Sequence, residues 1–167
     1  MSYSAQNIRN VCLLGHGGNG KTSLVESMLY LTGATDRLGR IADGNTVCDY
    51  DPEETKRQIS ISTAVAPVEH NGCKINVLDT PGYFDFAGEV MEALQVADAA
   101  VIVYASKAGA LSVGAGKAWK YCEKRGLPRM IYISRTDEEN ADYNAAFETL
   151  RAEFGKNVAP LIAPIWD

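Results

Sequence analysis

The 167-residue sequence predicts an α/β fold of three layers, with a mostly parallel sheet, one antiparallel edge strand and helices on both faces. Three observations carry that prediction. Short apolar runs alternate with segments of helical period along the chain, and a glycine-rich loop lies between the first run and the first helical stripe. An Asn71-Gly72 turn also joins two neighbouring strand-like runs, which makes one strand pair antiparallel.

Ile8 to Gly15 reads as a short buried strand. Ser23 to Leu31 follows as a helix, because Leu24, Met28 and Leu31 share one face. Gly33 to Arg57 is polar, charged and without a sustained period, and a loop of that length in a compact domain is more often functional or mobile than inert. Ile59 to Val68 alternates like a strand exposed on one face, and beyond the turn Lys74 to Leu78 completes a hairpin. Phe86, Val90, Met91 and Leu94 mark an amphipathic helix, Ala99 to Ala105 a buried strand, and Val113 to Arg125 a helix ended by Gly126. Arg129 to Ser134 is strand-like, and Tyr143, Phe147, Leu150 and Phe154 define another helical stripe. Val158 to Ile165 is the candidate for a last strand.

Composition bounds the function. With 46% hydrophobic residues the chain can bury one sizeable core, which predicts a single domain over 1–167. A formal charge of −5 argues against a generic nucleic-acid-binding surface, since phosphate backbones are met by clustered Lys and Arg, and no sequence-specific DNA partner is expected. Cys12, Cys48, Cys73 and Cys122 form no CxxC pair, so neither a zinc site nor a dense disulfide framework is expected, and reduced cytoplasmic thiols fit better. No stretch approaches the apolar length of a membrane span, and MSYSAQNIRN lacks the apolar core of a signal peptide.

Two motifs carry chemistry. GHGGNGKT, Gly15 to Thr22, has the G-x-x-x-x-G-K-[ST] pattern of a phosphate-binding loop in the required strand-to-helix context, and so predicts a P-loop NTPase fold. Its glycines let backbone N–H groups curl around an anion, and the helix N-terminus adds partial positive charge. Lys21 would reach the β- and γ-phosphates, and the Thr22 hydroxyl would ligate Mg2+. DTPGYFDF, Asp79 to Phe86, also follows a strand: Asp79 could hold a magnesium-bound water, and the Gly82 N–H could bond the γ-phosphate.

Together these motifs resemble those of the translational GTPases, especially elongation factor G and its bacterial homologues. DTPGYFDF is similar to the family's Asp-Thr-Pro-Gly-His element. Arg57 to Ser62, RQISIS, resembles the Arg-Gly-Ile-Thr-Ile of its first switch, and Ser134 to Asp137, SRTD, lies where the family has Asn-Lys-x-Asp. GEV at Gly88 to Val90 and ENADY at Glu139 to Tyr143 extend the likeness over nearly the whole chain. The resemblance implies binding of GTP/GDP with Mg2+ and hydrolysis of GTP on the ribosome, with a GTP-sensing interaction module of little intrinsic hydrolysis as the alternative. The nucleotide site would comprise Gly15, His16, Gly17, Gly18, Asn19, Gly20, Lys21, Thr22, Ser23, Asp79, Gly82, Ser134, Arg135 and Asp137. Thr22, Ser60 and Asp79 would serve the metal, and Lys21 and Tyr83 catalysis. The segment before Ser60 would be switch I, and Asp79 to about Gln95 switch II, both ordered by the γ-phosphate.

Several positions depart from the family pattern. Ser60 replaces threonine, keeping the hydroxyl but losing the methyl that stiffens the rotamer. Gln58 replaces glycine, so an L-compatible backbone is expected there. Tyr83 replaces the histidine that orients the attacking water. A phenol is neutral at pH 7, so slower hydrolysis or another group is expected, and the alternative packs Tyr83 with Phe84 and Phe86 against the sheet. Asp137 can accept from guanine N1–H and the exocyclic amine, which favours GTP over ATP. Ser134 is shorter than asparagine and is not expected to reach both guanine and the P-loop, whereas the Arg135 stem could lie over the base. Gly18 and Asn19 replace Asp-Ala, and His16 is expected to face solvent or bond to backbone. The family's last guanine-contacting motif has no counterpart before Asp167, from which a truncated G domain, lower nucleotide affinity and self-association through uncovered apolar surface are expected.

Overall fold

Residues Cys12, Leu13 and Leu14 are all essentially buried, and their alternating side chains feed opposite faces of one sheet. In the computed structural model, described over residues 3–106 and 111–165, that sheet has five strands: β1 (Ile8–Leu14), β2 (Ala64–His70), β3 (Cys73–Asp79), β4 (Ala99–Ala105) and β5 (Arg129–Ser134). Their spatial order is β2-β3-β1-β4-β5. β1 pairs in parallel with β3 and β4, and β4 with β5, whereas β2 runs antiparallel to β3 from Ala64 opposite Asp79 to His70 opposite Cys73. Asn71 and Gly72 both take positive φ, 49° and 75°, the backbone a tight hairpin turn demands. Pro67 is tolerated because β2 is an edge.

Helices cover both faces. α1 (Lys21–Leu31) buries Val25 and Leu29 against Leu13, Val77, Val101 and Val103. Inside the polar segment, where the sequence shows no sustained period, lies a six-residue helix, α2 (Pro52–Arg57). Its local signal is a capping box, Asp51 and Glu54, with Pro52 in the first turn. On the other face of the sheet, α3 (Ala87–Val96), α4 (Val113–Arg125) and α5 (Tyr143–Phe154) bring Leu94, Ala115, Cys122 and Leu150 onto Cys12, Leu14, Ile102 and Tyr104.

Three elements differ from the expectations by more than one residue. α1 begins at Lys21, two residues before Ser23, because the P-loop runs directly into the first helical turn. β2 begins at Ala64 and not at Ile59, since the N–H groups of Ile61 and Ser62 are taken by the Glu54 carboxylate. Val158 to Ile165 forms no strand: Pro160 and Pro164 lack ladder donors, and Leu161, Ile162 and Ile165 are exposed. Trp166 and Asp167 lie outside the described residues.

Candidate nucleotide and metal site

The site gathers at the C-terminal ends of β1, β3, β4 and β5, where loops leave a mostly parallel sheet. Gly15 leaves β1 at φ 138°, and a Cβ there would stand 2.4 Å from the Val103 carbonyl oxygen. The Asn19 amide ties the loop to the same carbonyl at 3.1 Å. Gly20 caps α1 at φ 89°, and the helix presents N–H groups that have no intrahelical partner.

Lys21 is buried and folds back over the loop, donating to the carbonyls of Gly15 at 3.1 Å and His16 at 3.2 Å. Burial lowers its pKa to about 8, against the pull of Asp79 and Asp49. Asp79 is 1% exposed, and neither carboxylate oxygen accepts a hydrogen bond. Burial raises its pKa to about 7, while Thr22, acting from outside hydrogen-bonding geometry, and Lys21 pull the other way.

Beside this orphaned carboxylate the Thr22 and Ser60 hydroxyls meet at 3.2 Å, and Ser60 donates to Asp49 Oδ1 at 2.7 Å. Thr22, Ser60 and Asp79, named from the motifs, are therefore brought together across segments far apart in the chain. Glu26, Asp49, Glu54 and Asp79 are buried carboxylates, and Lys21 is the one buried cation among the described residues. That excess of buried negative charge, with hydroxyl and carboxylate oxygens, suits a hard divalent cation that completes its shell with water and phosphate oxygens. No cluster of three His, Cys, Asp or Glu side chains with metal-holding geometry occurs among the described residues, so phosphate and hydroxyl oxygens would have to share the coordination.

A sheet of this order, a P-loop on β1 and an acidic residue ending β3 match a known pattern. The model of the elongation factor Tu GTP binding domain matches residues 6–162. The chain belongs to this family. It is 39% identical over 160 residues, 96% of its length, to the elongation factor G-like protein of Mycobacterium tuberculosis (strain ATCC 25618 / H37Rv). It is 37% identical over 164 residues, 98% of its length, to the mitochondrial ribosome-releasing factor 2 of Anopheles gambiae. A solved protein from Thermus thermophilus superposes with a TM-score of 0.84 at 43% identity, over 89% of this chain and 22% of that one. The chain spans 22% of the length of both curated relatives.

The positions expected to depart from the family pattern are now placed. Ser134 reaches the P-loop: its hydroxyl donates to the Asn19 carbonyl at 2.7 Å, because the end of β5 lies close against the loop. Arg135, at φ 57°, donates to the Gly18 carbonyl and pairs with Glu138, so its stem runs from β5 to the loop. Asp137 is exposed at the same edge. Gln58 does not adopt the expected L-compatible backbone. It sits at φ 56°, ψ 39°, the left-handed region a glycine would take, where the chain must fold back on the end of α2.

Tyr83 lies on the P-loop and is 41% exposed; a Cβ on Gly17 would stand 2.7 Å from its ring. His16 is half-buried, its ring 6.3 Å from that of Tyr83 and 5.9 Å from that of Phe84, and its buried Nδ1 has no partner, so the expected backbone bond is not made through that atom. Gly82 touches the loop directly: its carbonyl accepts the Gly17 N–H at 3.1 Å. Sequence reasoning missed Glu26, Asp49, Glu54 and Glu89. Only Glu54 carried a signal, as the third residue after the cap Asp51.

Proposed function

We propose that this domain binds magnesium-GTP and GDP and hydrolyses GTP as part of a larger ribosome-associated factor of the elongation factor G type. The observation that carries this reading is the meeting of the Thr22 and Ser60 hydroxyls beside the unpartnered Asp79 carboxylate and the Lys21 ammonium. Lys21, now spanning the carbonyls of Gly15 and His16, would neutralise the terminal phosphates, and the glycine loop and α1 N-terminus would cradle the others. Thr22 and Ser60 would ligate Mg2+ and Asp79 would hold one of its waters. When bound, the metal supplies charge neutralisation at the phosphates. Asp137 would read the guanine edge, with Ser134 and Arg135 fixing the base loop to the P-loop.

Tyr83 favours a second reading. It stands where the family places a histidine, and a neutral phenol can orient water by hydrogen bonding but offers no imidazolium. The domain would then sense GTP with slow turnover. Equilibrium binding of fluorescent GDP, with GTP and ADP as competitors, tests the first claim: displacement by GTP and not by ADP is expected, and equal displacement would overturn guanine specificity. Single-turnover hydrolysis with and without ribosomes separates the two readings. Acceleration by ribosomes supports the enzyme, and its absence supports the sensor.

A further inference from the structure

Residues 61–63 turn three consecutive backbone N–H groups toward carboxylates from two different helices. Ile61 and Ser62 donate to Glu54 Oε1 at 2.8 and 3.0 Å, and Thr63 donates to Glu89 Oε2 at 2.7 Å. The other Glu54 oxygen accepts the Asp51 N–H at 3.2 Å, so this 1%-exposed carboxylate is compensated by backbone donors. The left-handed turn at Gln58 and the bond from Ile59 N–H to the Glu54 carbonyl at 3.2 Å carry the chain back over the end of α2. On the α3 side, the Thr63 hydroxyl also donates to the Glu89 carbonyl at 3.2 Å.

Ser60 is the residue immediately before this pinned run. Its hydroxyl sits 2.7 Å from Asp49 and 3.2 Å from Thr22, and one residue of slack would carry it away from both. We propose that Glu54 and Glu89 are positioning residues: a two-sided carboxylate clamp on residues 61–63 that holds the Ser60 hydroxyl against Thr22 and ties this loop to α3. Neither carboxylate is assigned a contact with nucleotide or metal. Each acts through Ser60, and the inference rests on the magnesium-nucleotide reading of the site.

The test is a magnesium titration of the chain bound to a fluorescent non-hydrolysable GTP analogue. An amide at position 54 or 89 replaces a charged acceptor by a weaker one and presents a donor to donors. E54Q and E89Q are expected to weaken apparent magnesium affinity by about tenfold, as S60A does, while analogue affinity in excess chelator stays within about twofold of wild type. E54Q/S60A should be no worse than S60A alone, because clamp and hydroxyl act as one unit. Additive losses in the double variant, or an E54Q with wild-type magnesium affinity, would overturn the clamp while leaving the binding reading intact. Failure of the wild-type chain to bind the analogue would overturn that reading before any variant is made. Hydrogen exchange on the nucleotide-free chain checks the clamp by itself. E54Q should lose protection at Ile61 and Ser62, and E89Q, at a half-buried position, at Thr63, with the sheet amides unchanged. Unchanged exchange at all three amides would sink the clamp.

Discussion

Burial sets the chemistry of the two charged residues at the phosphate loop. Asp79 titrates near 7 in the folded chain and near 3.8 when unfolded, so between those values the native state holds the extra proton. Its contribution to stability is therefore present below about pH 4 and is lost as pH rises through 7. Lys21 shows the converse, with a folded value of about 8 below the unfolded 10.5, so stability recovers as pH climbs from 8 toward 10.5. The melting temperature of the metal- and nucleotide-free chain should fall from pH 5 to pH 8 in thermal scans. Asp79→Asn should flatten that slope, and magnesium-nucleotide should restore the wild-type melting point at pH 8. Lys21→Met should weaken GDP binding by about a hundredfold in a fluorescence titration, as expected for truncating one partner of a buried charge pair. Lys21, Thr22 and Asp79 were legible in the sequence because their spacing answers to local loop geometry. The partners of Asp49, Glu54 and Glu89 were not, since a carboxylate reads as solvated until a donor from another segment meets it: the Ser60 hydroxyl for Asp49 and backbone N–H groups for Glu54 and Glu89.

At the scale of elements, the P-loop and the turn that follows β3 are packed backbone to backbone. A Cβ on Gly82 would stand 2.4 Å from the Gly17 nitrogen and 2.5 Å from Lys21 Nζ, so neither side can give without opening the loop. Gly82→Ala should cost about 1–3 kcal/mol of stability in urea titrations and sharply reduce nucleotide affinity. Gly17→Ala meets only the exposed Tyr83 ring and should be milder. Asp51→Ala removes the cap of α2 and should cost about 1 kcal/mol by the same measurement. The core strands and long helices were readable from period alone. The start of β2 and the absent strand at 158–165 were not, because Glu54 captures the donors of one, and the other alternates apolar residues across prolines that cannot complete a ladder.

At the scale of the whole molecule, the sheet holds three loops together: Ser134 and Arg135 bond to the P-loop from β5, Gly82 bonds to it from β3, and Ser60 meets Thr22, held there by the proposed clamp. In a frame this closely tied, the proposed hydrolysis turns on what stands at position 83. Tyr83 already lies over Gly17, so histidine there would keep that placement and add a group able to exchange protons near neutral pH. Tyr83→His should raise single-turnover GTP hydrolysis in the presence of ribosomes by about tenfold or more, within the range such groups contribute. GDP affinity should stay unchanged, because Tyr83 meets the loop by ring contact beside Gly17 and is partly open to solvent. A rise without ribosomes would place the defect of the wild type in chemistry alone. A rise only with ribosomes would show that an external surface orients residue 83. Equal rates for tyrosine and histidine under both conditions would mean that water is positioned by backbone groups of the loop, with position 83 serving to cover Gly17.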